Sequence, residues 1–210
     1  FVMLAFLKPV NRKTHADAQP TLTPAVSAYR DKTFIIFILI TALFASCFFQ
    51  IFTNLPGYFT KHLHLSEPYI GFLMAINGII IALIEMVLVY KLDGKRRSIV
   101  YITFGVALVG ISFWLLNIPG NGPFIGLCMI ILVTFGEIFS MPFMNSYWIS
   151  RTQTTNRGQY AALYTMSWSA AQTLGPMGGA QLAEHFGFNI LWWVIGGLSI
   201  IAALAFSKLV

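Results

Sequence analysis

Six long apolar runs dominate the sequence. Each is long enough to cross the hydrocarbon core of a bilayer as a helix, which takes about 20 mostly apolar residues. Four of the runs contain no Lys, Arg, Asp or Glu, and the other two contain one glutamate each. A β-barrel strand would be about 10 residues of alternating polarity, so these continuous runs predict helices. The predicted spans are residues 34–57, 69–90, 99–118, 124–149, 160–183 and 188–206.

The composition agrees with a chain that lies in a bilayer. Its mean hydropathy is +0.75, and 57% of the residues are hydrophobic while 10% are charged. In a soluble domain about a quarter of the residues are charged. We therefore predict an all-α membrane protein with six transmembrane helices.

The basic residues follow a regular alternation along the chain. Twelve of the 13 Lys and Arg residues lie before the first span, between the second and third, between the fourth and fifth, or after the sixth, and Lys61 is the exception. The positive-inside rule then places both ends of the six-span unit in the cytoplasm, and we expect a bacterial inner membrane. Anionic lipid headgroups account for the formal net charge of +6, so nucleic acid is disfavoured as a partner.

The cysteines, histidines and short motifs give no sign of a metal, a cofactor or an enzyme. Cys47 and Cys128 both fall inside predicted spans and are interpreted as free thiols. His62, His64 and Glu67 share a short loop, where solvated side chains are more common than a metal site. The sequence contains no H-E-x-x-H, G-x-S-x-G or G-x-x-x-x-G-K-[ST] motif, which argues against a metalloprotease, a serine hydrolase and ATP-driven transport. We therefore expect no catalytic residues, no metal and no cofactor.

Residues 1–32 differ in character from the rest. Residues 1–7 are apolar but too short to span a bilayer, and Lys8 and Pro9 follow them, so this segment resembles the inner end of a preceding helix. Residues 11–23, with Pro24 next to them, are polar and rich in helix breakers, which is typical of a flexible cytoplasmic linker. We expect residues 33–210 to form a six-helix bundle that the linker joins to a missing N-terminal half.

Glu137 lies in the middle of the fourth span. An ionised side chain at the centre of a bilayer costs at least about 2.5 kcal/mol, so such residues usually face a partner, water or a transport pathway. Met141, Met144 and Trp148 follow it at helical spacing and share its face. Methionine repacks easily and aromatic faces attract cations, so this face suits apolar or cationic compounds. Glu137 is predicted to exchange protons during a cycle; the alternative is a structural glutamate bonded to a neighbouring helix.

Other polar side chains in the spans are further candidates. Glu85 is either a second proton-linked or gating group or a partner of the basic turn Lys95-Arg96-Arg97, which follows its span. Asn77, on the flank of the same helix, either contacts substrate or bonds to another helix. The same two interpretations stay open for two stripes at helical spacing. Those stripes carry Gln50 and Asn54 in the first span and Tyr164, Trp168 and Gln172 in the fifth.

Four of the spans carry short motifs of glycine, proline and polar residues. They are Gln50, Leu55-Pro56 and Tyr58 in the first span, Gly71 and Asn77-Gly78 in the second, Gly136-Glu137 and Pro142 in the fourth, and Arg157-Gly158, Tyr160, Leu174-Gly175-Pro176 and Gly178-Gly179 in or beside the fifth. Together these motifs resemble the C-terminal half of a major facilitator superfamily transporter, and within it the drug:proton antiporter type. The resemblance implies that the spans are helices seven to twelve of a twelve-helix protein, in which they form one wall of a central cavity.

The connection after the second span reads Leu92-Asp93-Gly94-Lys95-Arg96-Arg97. It resembles a compressed form of the superfamily's cytoplasmic signature, although the leading glycine is absent. The resemblance implies gating roles for Asp93, Arg96 and Arg97, and for Arg157 where the fifth span begins.

The leading functional hypothesis is secondary active transport, as proton-coupled efflux of small amphipathic compounds. A proton-coupled importer of peptides or other nutrients is an alternative, because such a protein can also use a glutamate in the equivalent span. A purely structural membrane protein would not need two carboxylates in its spans. The expected partners are a small-molecule substrate, protons, the lipid bilayer and the missing half.

Overall fold

Helices make up all the regular structure in residues 27–209, which are the residues that the computed structural model describes. The all-α prediction is therefore confirmed for this part of the chain. The predicted helix end and most of the predicted linker, in residues 1–26, lie outside it. A 3-10 turn at Ala28–Arg30 leads into α1 (Lys32–Phe48), and a second at Phe49–Ile51 precedes α2 (Asn54–Lys61). The remaining helices are α3 (Glu67–Leu92), α4 (Ser98–Leu115), α5 (Gly122–Ser150), α6 (Arg157–Phe186) and α7 (Phe188–Ser207).

Five of the six predicted spans are confirmed as helices that are long and apolar enough to cross a membrane. They are Lys32–Lys61, Glu67–Leu92, Ser98–Leu115, Gly122–Ser150 and Phe188–Ser207. The fifth predicted span, residues 160–183, lies within α6, which is a helix of 30 residues but is not among the apolar five in the described part of the chain. Glycine, serine, threonine and glutamine residues make α6 more polar than the other long helices.

The first span, Lys32–Lys61, is one helical segment with a break in it, so it contains two α-helices. The α-helical hydrogen bonding of α1 ends at Phe48, and α2 begins at Asn54 after a 3-10 turn. Pro56 explains the restart, because proline has no N–H and its ring would clash with the carbonyl of Phe52 in an unbroken helix. In the first turn of a new helix the missing N–H costs little. The predicted polar stripe of this span therefore runs across a break in the helix.

Helix α4 packs most extensively against α5 and α7, while α1 packs against α6 and α7. Glycines allow two of these crossings to be close. A Cβ atom at Gly105 of α4 would lie 2.5 Å from the carbonyl oxygen of Gly136 in α5, and one at Gly110 would lie 2.9 Å from the carbonyl oxygen of Gly196 in α7. The α4–α5 crossing consequently fixes the position of residue 137, which follows Gly136 directly.

Helix α3 lies at the edge of the bundle and is the least buried of the apolar helices. Its packing partner is mainly α5, and its fully or nearly buried side chains are Ile70 and Leu73, in the half that follows Glu67. Leu83, Met86 and Tyr90 in the other half are exposed. The half of α3 that precedes the basic turn is therefore free to face lipid or another part of the protein.

Candidate functional site

A polar cluster between α3 and α5 is the centre of the candidate site. The Asn77 amide Nδ2 donates to the Thr134 hydroxyl at 2.9 Å and to Oε2 of Glu137 at 3.3 Å. The Thr134 hydroxyl donates in turn to the Ile130 carbonyl at 2.6 Å, which leaves its lone pairs free to accept from Asn77. We call Asn77, Thr134 and Glu137 the carboxyl cluster. It joins two helices that are otherwise mostly apolar.

The two sides of the carboxyl cluster differ in rigidity. On α5, Gly136 is pressed against α4 so closely that a Cβ atom there would lie 2.6 Å from Cγ2 of Val109. The Ser140 hydroxyl adds a 2.7 Å bond to the Gly136 carbonyl. On the other side, Asn77 belongs to the edge helix α3. The carboxyl of Glu137 thus belongs to a helix that is packed tightly against α4. Its amide partner belongs to α3, the least buried of the apolar helices.

Glu85 is half-buried and lies about two turns from Asn77, toward the basic turn. It is close enough to Glu137 for the two carboxyl groups to interact electrostatically. No ion pair joins Glu85 to the basic turn among residues 27–209, where Asp31 and Arg151 form the salt bridge that is present. The predicted pairing with the basic turn is therefore not formed in this structure, and the proton-linked role of Glu85 stays a prediction.

The residues of the predicted face next to Glu137, which are Met141, Met144 and Trp148, differ in their burial in the structure. Met144 is fully buried in the core, whereas Met141 and Trp148 are half-buried and pack against it. The Trp148 indole N–H donates to Oδ1 of Asn145 at 3.2 Å. Met144 therefore acts in packing here, and Met141 and Trp148 are the members of the face that remain accessible.

An aromatic cluster joins α1, α5 and α6. The Trp168 ring meets the rings of Phe44, Phe48 and Phe49 edge to face, at centroid distances of 6.4, 6.5 and 5.9 Å. Tyr164 lies 6.2 Å from Trp168 and 5.8 Å from Trp148. The structure thus brings together three of the predicted substrate contacts, Trp148, Tyr164 and Trp168, on a half-buried aromatic surface. Gln172, the third residue of the predicted stripe in the fifth span, is exposed on α6 and lies outside this cluster.

Gln50 and Asn54 bond across to α6. The Gln50 amide donates to the Gly175 carbonyl at 2.8 Å and to the Ser46 carbonyl at 3.1 Å, and its residue is 1% exposed. Asn54 donates to the Gln50 side chain and, at 3.4 Å, to the Pro176 carbonyl. In this conformation both amides attach the break between α1 and α2 to the Gly175-Pro176 segment of α6. Of the two interpretations left open by the sequence, substrate contact and bonding to another helix, this arrangement matches the second. A substrate contact at these residues stays a prediction.

The hydrogen bonds from Gln50 and Asn54 to α6, which we call the amide tie, predict different effects for two neighbouring glycines. A Cβ atom at Gly179 would overlap the Gln50 amide, whereas a Cβ atom at Gly178 would meet nothing within 4 Å. Gly179→Ala should therefore displace Gln50 from the Gly175 carbonyl and lower the free energy of unfolding by about 1–3 kcal/mol. Gly178→Ala is the matched control and should leave it nearly unchanged. Thermal unfolding in detergent compares the two, and equal stability would show that the tie contributes nothing.

The predicted gating residues lie at the surface. Asp93, Arg96, Arg97 and Arg157 are all exposed, and none of them forms an ion pair within the described range. Gly94 has a φ of +73°, which lets the chain turn sharply between α3 and α4. The gating roles therefore stay predictions.

Sequence reasoning missed two features of the structure. One is Thr134, which links Asn77 to α5 and gave no signal because threonine is common in apolar helices. The other is a salt bridge between Asp31 and Arg151 at 2.8 Å. Asp31 lies three residues before an apolar run, which is the signature of a helix N-cap, but its partner is 120 residues away along the chain.

Comparisons with known proteins agree with this architecture. The chain matches the family model described as Major Facilitator Superfamily over residues 1–176. It is 20% identical over 191 residues to a "Na(+), Li(+), K(+)/H(+) antiporter" of Planococcus maritimus, an alignment that covers 84% of this chain and 44% of that protein. The chain thus spans less than half the length of this curated relative. No solved structure matches. On the family match and its apolar helices, the chain is an integral membrane protein that belongs to the Major Facilitator Superfamily.

Proposed function

We propose that the chain is part of a proton-coupled secondary transporter in which the Glu137 carboxyl binds a proton and a cationic substrate in turn. The observation that carries the proposal is the carboxyl cluster, because it places one ionisable group between two apolar helices, where Asn77 donates to it and also to Thr134. A neutral carboxylic acid can stay in such a setting at low cost. The ionised form needs a cation or water beside it. Competition between proton and cation for one carboxylate is the property that an antiporter requires.

Small amphipathic cations leaving the cell are the substrate class that we favour. The exposed parts of Met141 and Trp148 adjoin the carboxylate's helix face, and the aromatic cluster continues from Trp148 to Tyr164 and Trp168. Aromatic faces attract cations, and methionine adapts to different shapes. With both ends of the unit in the cytoplasm of a bacterial inner membrane, as the basic connections predict, these residues would line one wall of a cavity shared with a second half.

Alkali cations are a second candidate substrate. The relative from Planococcus maritimus is named as an Na(+), Li(+), K(+)/H(+) antiporter, and the carboxyl cluster contains a carboxylate, a hydroxyl and an amide oxygen. Hard cations prefer oxygen ligands. Asn77 points its Nδ2 at Glu137 in the assigned orientation, so an alkali cation would require the amide to rotate and present Oδ1.

Proton movement in proteoliposomes tests the function and separates the two substrate classes. The complete transporter is reconstituted with an imposed pH gradient that a fluorescent dye reports. Tetraphenylphosphonium, a lipophilic cation, or Na⁺ is then added to the outside. Dissipation of the gradient by tetraphenylphosphonium is the expected result. A response to Na⁺ alone would favour alkali-cation exchange, and no response to any cation would contradict proton-coupled antiport.

The basic turn after α3 is expected to set the orientation of the unit. Reversing the charges of Lys95, Arg96 and Arg97 should scramble topology or lower expression before it changes substrate preference, because positive connections stay on the cytoplasmic side. Thiol labelling of single cysteines in residues 93–97 and at Lys61 in cells measures this. The cytoplasmic orientation would be wrong if residues 93–97 of the unaltered protein were labelled from outside.

A further inference from the structure

The orientation of the Asn77 amide follows from the hydrogen bonds of Thr134. The Thr134 hydroxyl has a single proton, and it donates that proton to the Ile130 carbonyl at 2.6 Å. Toward Asn77, whose amide is 2.9 Å away, the same hydroxyl can therefore only accept. A side-chain amide donates through its nitrogen and not through its oxygen. The atom that faces Thr134 is consequently Nδ2.

The same amide nitrogen also faces Glu137. Nδ2 carries two hydrogens, so it can donate both to the Thr134 hydroxyl and, at 3.3 Å, to Oε2 of Glu137. Thr134 and Glu137 are three residues apart on α5, which places them on one face of that helix. One amide of α3 therefore reaches both side chains. The bond to Thr134 is the shorter of the two and holds the amide in place beside the carboxyl.

Rotation of the amide by half a turn is unfavourable here. It would bring Oδ1 of Asn77 against the Thr134 oxygen, whose proton is already used in the bond to Ile130. Two acceptors would then face each other without a hydrogen between them. Thr134 is fully buried, and a polar group that loses its partner away from water is costly. Thr134 thus keeps the donor side of the amide toward α5.

A fixed donor distinguishes the two forms of the Glu137 carboxyl. A hydrogen bond from an N–H group to an ionised carboxylate is about twice as strong as one between neutral groups. A donor beside the carboxyl therefore favours the ionised form over the neutral acid. The distance of 3.3 Å is slightly longer than is usual for such a bond, so the preference is modest. Asn77 and Glu137 are both half-buried, which leaves the carboxyl accessible to a ligand.

We propose that Thr134 and Asn77 are positioning residues for Glu137: Thr134 holds the Asn77 amide with its donor side toward the carboxyl, and this donor keeps the carboxylate available for a cation at a lower pH than the apolar helices alone would allow. Neither Thr134 nor Asn77 exchanges a proton or moves in this role. Its use in transport rests on the proposed function. Its effect on the Glu137 carboxyl exists without transport and is measured in the resting protein.

The other ionisable groups near Glu137 are few within residues 27–209. Glu85, on α3, is close enough for its charge to oppose a second charge at Glu137, and it is present in every variant below. Helix α4 carries one ionisable side chain, Tyr101, in its first turns, and α6 carries none between residues 165 and 183. Arg151, which pairs with a carboxylate of α1, follows α5 about four helical turns beyond Glu137. A change in the behaviour of Glu137 can therefore be attributed to Asn77 and Thr134.

Infrared titration of the purified, complete transporter tests the proposal without transport. The band of a protonated carboxyl group that is missing in Glu137→Gln reports how much of Glu137 is neutral at each pH. Asn77→Leu removes the donor at similar size, so the ionised form loses its hydrogen bond. The pH midpoint of the band should then rise by about 0.5–1 pH unit. Thr134→Val removes the acceptor that holds the amide and should raise the midpoint by a smaller amount.

Two further variants show whether the shift comes from the Thr134 hydroxyl. Thr134→Ser keeps a hydroxyl at the same place and should keep the original midpoint. Thr103→Val is the matched control, because Thr103 of α4 also donates to a carbonyl four residues earlier, at 2.9 Å, and does not belong to the carboxyl cluster. Lower stability of Asn77→Leu and Thr134→Val with an unchanged midpoint would mean that these residues only join helices, and would overturn the proposal. If Asn77→Leu does not fold, the comparison of Thr134→Val with Thr134→Ser decides.

Addition of tetraphenylphosphonium separates this inference from the proposed function. A cation that binds the carboxylate competes with the proton, so it should lower the midpoint in the unaltered protein. A midpoint that responds to Asn77→Leu and not to the cation would contradict the proposed function and leave the positioning role standing. A midpoint that responds to the cation and to neither substitution would overturn the positioning role and leave the proposed function standing.

Discussion

Replacing Glu137 with glutamine is expected to abolish pH-driven flux while the fold and part of the ligand binding remain. The amide has nearly the same shape as the carboxyl and can still bond with Asn77, which now donates at 3.3 Å. It cannot gain or lose a proton, so proton and cation no longer compete for one group. Flux driven by a pH gradient should therefore fall to the level of liposomes without protein.

Gradient-driven flux of tetraphenylphosphonium in proteoliposomes of the complete transporter measures this effect. Glu67→Gln is the matched control, because Glu67 is an exposed glutamate in the first turn of α3 and should be dispensable for coupling. A Glu137→Gln variant with a full rate and unchanged pH dependence would leave Glu137 as a structural residue. The search for the proton-linked group would then move to Glu85 or to residues outside this chain.

The second large effect is expected at the crossing of α4 and α5. A Cβ atom at Gly105 would lie 2.5 Å from the Gly136 carbonyl oxygen and 2.6 Å from the backbone nitrogen of Ser140. Backbone atoms cannot move aside as a flexible side chain can, so Gly105→Ala must push the two helices apart. Overpacking of this kind costs about 1–3 kcal/mol. Because Glu137 follows Gly136, the displacement should also disturb the carboxyl cluster.

Thermal unfolding in detergent measures the loss, with a thiol-reactive dye that reports exposure of the buried Cys47. Gly71→Ala in α3 is the matched control, since a Cβ atom there would meet nothing within 4 Å. A Gly105→Ala variant as stable as the Gly71→Ala variant would mean that the crossing is looser than the structure shows.

The helices of the fold were predictable because a bilayer imposes one strong requirement, a continuous apolar run of sufficient length. The break after Phe48 was not predicted, although Pro56 contains the physical reason for it. The polarity of α6 was visible in its glutamines and glycines, but length and the absence of charge outweighed it in the prediction. Local composition thus identified the helices better than it identified their interruptions.

The candidate site was predictable only one residue at a time. The sequence places Glu137 and Asn77 in two different helices, but their contact depends on how α3 and α5 are aligned, which the glycine crossing between α4 and α5 helps to fix. Helical spacing put Met144 on the same face as Glu137, yet tertiary packing turned it into the core. Asp31 and Arg151 are brought together by the folded bundle, and no periodicity relates residues so far apart.

Proton release on ligand binding tests the central claim most directly. Purified complete transporter is mixed with tetraphenylphosphonium in weakly buffered detergent solution at a series of pH values around neutrality, and a pH indicator records the protons released. The Glu137 account predicts that the unaltered protein releases protons as the cation binds, and that Glu137→Gln binds the cation without releasing any. Equal proton release from the two proteins would contradict it.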